Sequence, residues 1–326
     1  MRLEIFRSPD YDFIGKRKWA YLVSALFTLA GLVSLATQGL NYDIDFKGGT
    51  LVQVRFEQPP SVQKIRGALA TINLGEAVIQ EFGDAREFIV RLPLAGASSQ
   101  AVSDRMSQAL GSDPSLGKFE IRRVEFVGPQ VGRELQTQAV YAVLAAMACM
   151  LGYIAYRFRS IRGGTAAVVA VIHDVIVCLG SLSLAHREFS LPTLAAVLTV
   201  IGYSVNDTIV AYDRLRENRG RAGSKGKPFA VQMNDAVNQT LSRTVLTSLT
   251  VFFSVVILFF FGGRVLEDFA FVLVVGVFTG TYSTTYVAAA VMVDWTEWSE
   301  RRGSGRGPKA PAVERPRPKP KAATKA

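Results

Sequence analysis

The chain has little of what most enzymes need. Its 326 residues include two cysteines and two histidines, fewer than the four cysteines of an ordinary iron–sulfur site, and no metal-ligand cluster stands out among them. Cys149 and Cys178 both fall inside apolar runs, so the stretch between the first two runs has no cysteine and can form no disulfide framework. The paired glycines Gly48 and Gly49 precede an alternating, strand-like stretch and no Gly-Lys-Ser/Thr follows them, which excludes a phosphate loop. The acidic ladder and closing glutamate of an EF-hand loop are missing there too. No paired nucleophile and base stands out, and enzymatic catalysis has no support.

What is abundant is apolar length. Hydrophobic residues make up 49% of the chain despite 37 basic side chains, so they must be gathered in blocks. Six windows approach the ~20 apolar residues that a bilayer core requires: 19–38, 138–157, 165–185, 191–212, 245–262 and 268–293. The expected fold class is a polytopic α-helical membrane protein with six transmembrane helices. The first window is too long for a signal peptide and lacks a small-residue cleavage site, so it is expected to remain as an anchor.

Basic residues set the expected orientation. Lys16, Arg17 and Lys18 precede the first window; Arg157, Arg159 and Arg162 follow the second; Arg214, Arg216, Arg219, Arg221, Lys225 and Lys227 follow the fourth. The alternate loops, HREFSLP and FGGRVLED, hold one arginine each. The positive-inside rule therefore places both termini in the cytoplasm, with residues 1–18 as a cytoplasmic N-terminus. The net charge of +10 reads as a topology signal and gives no indication of nucleic-acid binding.

The insert 41–132 lies outside by the same parity, in the periplasm of a cell with two membranes. LVQVRFE alternates like a strand, PPSVQKIRGALATI has helical spacing after its prolines, AVIQEF and EFIVRL flank GDAR, SSQAVSDRMSQAL is helical, and KFEIRRVEFVG closes as a strand. The order β-α-β-β-α-β predicts a ferredoxin-like α+β domain. At its entrance, NYDIDFKGGT reads as a tight structural turn in which Gly48 and Gly49 allow positive φ or close approach and Asp45 bonds nearby amides. Residues 300–326, rich in Pro, Lys, Arg and Ala, are expected to form a disordered cytoplasmic tail. Attraction to anionic lipid is one role for it, binding of a ribosome or partner another.

Candidate chemistry lies inside the windows. Asp207 sits in GYSVNDTIVAYDRLREN, where a carboxylate costs roughly 2.5–3.5 kcal/mol even on lenient insertion scales and so tends to face a partner or a water-filled path. Tyr203 is four residues before it, and Gly202, Asn206 and Val210 continue a polar stripe. Gly202, Ser204 and Thr208 are small enough for another helix to approach closely. In NQTLSRTVLTSLT, Thr240, Arg243, Thr244, Thr247 and Ser248 form a second stripe, and Thr279, Gly280, Ser283 and Thr284 a third. His173 and Asp174 stand in the middle of the third window. Together these groups suggest a proton or ion pathway within a helix bundle, with Asp207 and Arg243 as an ion pair that can form and open. A static pair that fixes helix register is the alternative.

GYSVNDTIVAYDRLREN, NQTLSRTVLTSLT and DFKGGT, with one span, an insert and five more spans, resemble the SecF family, small membrane subunits of the SecDF complex of bacterial protein export, over about residues 1–300. The resemblance implies membership of the resistance-nodulation-division superfamily and residence in the bacterial cytoplasmic (inner) membrane. It implies no cofactor other than a proton gradient. It also implies SecD and the SecYEG translocon as partners, with YajC, YidC, unfolded exported polypeptide and membrane lipid as further ones, and the proton motive force as the driver of translocation. Asp207 becomes the proton-binding carboxylate and Arg243 its cation, with His173 and Asp174 the third-span pair. Two competing readings stand beside this: a proton-coupled exporter of small molecules, for which six spans are half the superfamily's usual complement, and a scaffold for membrane assembly that transports nothing.

Overall fold

The structure, a computed structural model, describes residues 9–75, 77–92, 99–221 and 226–304. Six helices are long and apolar enough to cross a membrane: α1 (Arg17–Thr37), α5 (Pro129–Phe158), α6 (Ile161–Leu184), α7 (Leu191–Arg219), α8 (Phe229–Phe261), and the continuous rod made of α9 (Arg264–Ser283), a π-helical turn (Thr284–Ala288) and α10 (Ala289–Ser304). Helix signals sit where physics places them. Ser160 and Ser190 cap α6 and α7 by accepting from the backbone N–H of Gly163 and Thr193, and Pro129 opens α5, where its missing N–H costs nothing. Most of the helices outrun their windows, α8 and the last rod the furthest. α8 begins at Phe229 and takes in the whole NQTLSRT motif; α10 reaches Ser304, so residues 300–304 are helical where a disordered tail was expected. The rest of that tail lies outside the described residues.

Helices α6, α7 and α9 form the centre of the bundle, while α1, α5 and α8 turn large apolar side chains outward. Small residues allow the close approaches. A Cβ on Gly180 of α6 would stand 2.3 Å from Gly31 Cα of α1, and the hydroxyls of Ser34 and Ser183 meet at 2.8 Å across the same seam. One end of the bundle carries both ends of the membrane region: Arg17 at the start of α1 pairs with Asp294 and Glu297 of α10.

The insert adds a four-stranded antiparallel sheet of β2 (Gly49–Phe56), β3 (Val78–Phe82), β4 (Asp84–Leu92) and β5 (Phe119–Val127) in the order β3-β4-β2-β5. With α3 (Val62–Ala70) and α4 (Ser99–Gly111) in the crossovers, this is the ferredoxin-like order. Alternation explains it: Val52, Val54 and Phe56 face a core with Phe88, Val90, Ile65, Leu69 and Met106, all 2% exposed or less. Between α1 and this sheet lie β1 (Asn41–Tyr42) and a one-turn helix, α2 (Ile44–Lys47). Gly48 has φ of 79°, and a Cβ on Gly49 would press to 2.6 Å of the Leu92 carbonyl oxygen, so both glycines are required by the backbone. β1 pairs in parallel with β6 (Glu188–Phe189), the link between α6 and α7.

Candidate functional site

Polar groups concentrate where α6, α7 and the α9/π rod meet. Asp174 of α6 is fully buried. Ser204 of α7 donates to its Oδ2 at 2.6 Å, Ser283 of α9 donates to the same oxygen at 2.7 Å, and His173 Nδ1 lies 3.0 Å from Oδ1. One carboxylate thus ties three helices together. Next to it, the hydroxyls of Thr208 and Thr284 meet at 3.1 Å, and Thr284 donates to the Ser204 carbonyl oxygen at 3.3 Å. Thr284 opens the π turn, a departure from α-helix that recurs at functional sites. The opposite nitrogen of His173, Nε2, is buried with no hydrogen-bond partner, and its ring lies over Tyr282 at 6.3 Å.

Asp207 is one turn further along α7 and is also buried, 3% exposed. Its surroundings differ: Oδ2 is buried with no hydrogen-bond partner. Its neighbour Asn206 lines a polar seam of about 920 Å³ between α7 and α8 that Asp213, Arg214, Arg243 and Thr247 also line. Arg243 is exposed within that seam. Asp207 and Arg243 therefore share a region, and the pair that can form and open is open in this structure: among the described residues no cation stands within pairing distance of this carboxylate. The stripes indicated which helix faces are polar, whereas the contact depends on side-chain reach and rotation, which the stripes do not encode.

The remaining expected residues divide. Tyr203 donates to Ser248 Oγ at 3.0 Å, and Ser248 in turn meets Thr281 at 2.7 Å, joining α7, α8 and α9. Thr247 turns its hydroxyl back to the Arg243 carbonyl of its own helix. Gly202 meets nothing: a Cβ there would stand in open space, so it is not the point of close helix approach. Gly276 and Gly280 of α9 take that role. A Cβ on Gly276 would come within 2.1 Å of Val200 Cγ2, and one on Gly280 within 3.2 Å of Ser204 Cβ. Asp45 does bond an amide, but a distant one, accepting from the N–H of Leu191 at the start of α7 at 3.3 Å. Ser204, small enough for close helix approach, and Ser283, one of a polar stripe, prove to be the donors to Asp174, a role that their spacing alone does not reveal. Their signal was present as hydroxyls on facing stripes.

The same region carries the chain's likeness to known proteins. Residues 109–298 match the family described as "Protein export membrane protein SecD/SecF, C-terminal", and residues 33–60, which include Gly48 and Gly49, match the "SecD/SecF GG Motif". The protein translocase subunit SecF of Desulfurispirillum indicum is 45% identical over 299 residues, covering 90% of this chain and 94% of its own. That of Pseudomonas aeruginosa is 40% identical over 283 residues, covering 86% of this chain and 90% of its own. Among solved structures, SecDF from Thermus thermophilus, a translocon-associated membrane protein, superposes with a TM-score of 0.78 at 39% identity over 91% of this chain. SecDF in a super-membrane-facing form gives 0.71 at 38% over 93%. This chain spans 40% and 41% of those longer chains. With six membrane-length helices, the ferredoxin-like insert and these matches together, the chain belongs to the SecF family of protein translocase subunits.

Proposed function

We propose that this chain works with a SecD chain in the bacterial cytoplasmic membrane, both termini in the cytoplasm, and uses the proton motive force to move its exported domain and promote translocation through SecYEG. YajC and YidC are further candidate partners, and the emerging unfolded polypeptide is the cargo. The reading rests on one observation above all: a buried carboxylate oxygen of Asp207 without a hydrogen-bond partner, beside a polar seam that holds Arg243. A group fixed for structure alone would have its lone pairs satisfied, since an unsatisfied buried acceptor costs about 1–3 kcal/mol. The seam runs along α7 toward Asp213, Arg214 and Glu217, the end that the basic loop places in the cytoplasm. Water entering this seam would give a route for proton release. One proton crossing about 100 mV yields about 2.3 kcal/mol, roughly a fifty-fold shift in a two-state equilibrium.

Asp207→Asn keeps the side chain's size and polarity and removes titration. At matched membrane abundance with SecD, it is expected to lose the gradient-dependent part of export and the proton flux of reconstituted complex. Wild-type export under a gradient by this variant overturns the proton-carrying role and leaves a scaffold reading in its place.

A further inference from the structure

The sheet domain is joined covalently to α1 and α5, yet its densest polar contact is with neither. The short α6–α7 link carries Arg187, Glu188 and Phe189, and it is gripped from both sides. On the bundle side, Arg187 pairs with Glu267 at 3.0 Å and Asp268 at 2.7 Å near the start of α9, and Asp268 also accepts from the N–H of Glu188 at 3.1 Å. On the domain side, Arg91 of β4 pairs with Glu188 at 2.7 Å and with Asp43 at 3.1 Å, and also donates to Gln80 of edge strand β3 at 2.8 Å. Backbone pairing of β1 with β6, the Asp43 N–H bonded to the Phe189 carbonyl oxygen at 3.0 Å, and the stacked rings of Phe46 and Phe189 complete the grip.

Burial separates Arg91 from the domain's other arginines. The side chains of Arg91, Asp43 and Glu188 are 16%, 11% and 16% exposed, whereas Arg55, Arg86, Arg122 and Arg123 are 35% exposed or more and pair within the domain. Surface pairs of that second kind contribute little. A half-buried cluster of ion pairs is different: removing one member leaves the others partly uncompensated away from bulk water. It also stands at the mechanical junction. α6 leads from Asp174 to the link, α7 leads from the link to Asp207, and α9 leads from Asp268 to Ser283.

We propose that Arg91 is the positioning residue that couples displacement of α6, α7 and α9 to the sheet domain, acting through Glu188. A shift of α7 moves Glu188, and Arg91 pulls the centre of the sheet with it. The covalent joints to α1 and α5 bypass the helices that hold the buried acids. This inference rests on the proton-driven reading above.

The test uses complex with SecD in proteoliposomes, with proton flux and gradient-dependent export measured separately. In Arg91→Gln, export is expected to fall about tenfold, toward the low end of ordinary coupling free energies, while proton flux stays near wild type. Glu188→Gln should do the same, the double variant should be no worse than either single one, and Arg91→Lys should recover part of the loss. If Arg91→Gln fails to accumulate, Glu188→Gln, which keeps its shape, carries the test. Wild-type export in an accumulating variant overturns the coupling role, as does a loss of export and flux in equal proportion. Absence of proton flux in wild-type complex overturns the underlying reading instead.

Discussion

Asp174 and Asp207 are buried to nearly the same depth, 0% and 3% exposed, on adjacent helices of one bundle, yet they occupy opposite chemical situations. Asp174 has two hydroxyl donors on one oxygen and a ring nitrogen at the other, drawn from α6, α7 and α9. Asp207 has a bare oxygen and a polar seam next door. A buried carboxylate with a full set of partners gains by staying where it is, because moving breaks several charge-assisted or hydroxyl bonds at once. One without partners has little to lose when helices shift or water arrives. Depth therefore does not separate a carboxylate held by its neighbours from one free to take new ones; the partner count does.

The comparison breaks if the two residues respond alike to mutation. Asp174→Ala is the largest expected effect on stability. It removes the common partner of Ser204, Ser283 and the Nδ1 side of His173, while Ser283 keeps its bond to the Gly280 carbonyl oxygen at 3.2 Å, and the expected cost of breaking this buried cluster is about 3–5 kcal/mol. Thermal unfolding in detergent should show a marked drop in midpoint, and membrane abundance should fall. Asp207→Asn, in contrast, should accumulate normally while losing gradient-dependent export. Normal stability in Asp174→Ala would remove its role as a joint.

A smaller change sharpens the contrast. Ser204→Ala takes one of two donors from Asp174 Oδ2 and leaves Ser283 in place. The expected cost is about 1–2 kcal/mol, since the remaining donor still satisfies the oxygen. Measured stability should lie between wild type and Asp174→Ala, and the double variant Asp174→Ala/Ser204→Ala should be less destabilised than the sum of the singles, because removing both partners of a bond leaves fewer orphans. Strict additivity would mean that the two side chains act independently, against the geometry.

Much of the bundle was legible in the chain. Apolar length alone located six spans, and two-residue alternation in LVQVRFE marked the first strand of the sheet, because burial on one face dictates that period. The acids were legible as anomalies in apolar runs. Their partners were not: Ser204 and Ser283 are 30 and 109 residues from Asp174, and a stripe of hydroxyls shows that a face is polar without saying which acid it serves. Whether Asp207 and Arg243 touch at rest was not legible for the same reason. β1 and β6 are two residues each, too short for any periodic signal, so the grip around Arg91 was hidden as well. The π turn at Thr284 has no sequence signature comparable to a cap or a proline.

The finest test of the contrast lies one turn before Asp207. Tyr203 is on the same helical stripe, and its hydroxyl donates to Ser248, which is already bonded to Thr281. If Asp207 exchanges protons through the seam beside Asn206, the Tyr203 hydroxyl lies off that route and serves only to join α7 to α8. Tyr203→Phe removes one neutral hydrogen bond and leaves Ser248 satisfied by Thr281, so the expected loss is about 1 kcal/mol or less, seen as a shift of a few degrees at most in the unfolding midpoint. Gradient-dependent export at matched abundance should be unchanged. A stable Tyr203→Phe protein with export reduced as far as in Asp207→Asn would show instead that protons reach the carboxylate along the chain of hydroxyls from Thr281 and Ser248. Asp207 would then be served, like Asp174, by a fixed set of side chains, and the two acids would differ in the direction of their connections more than in their number.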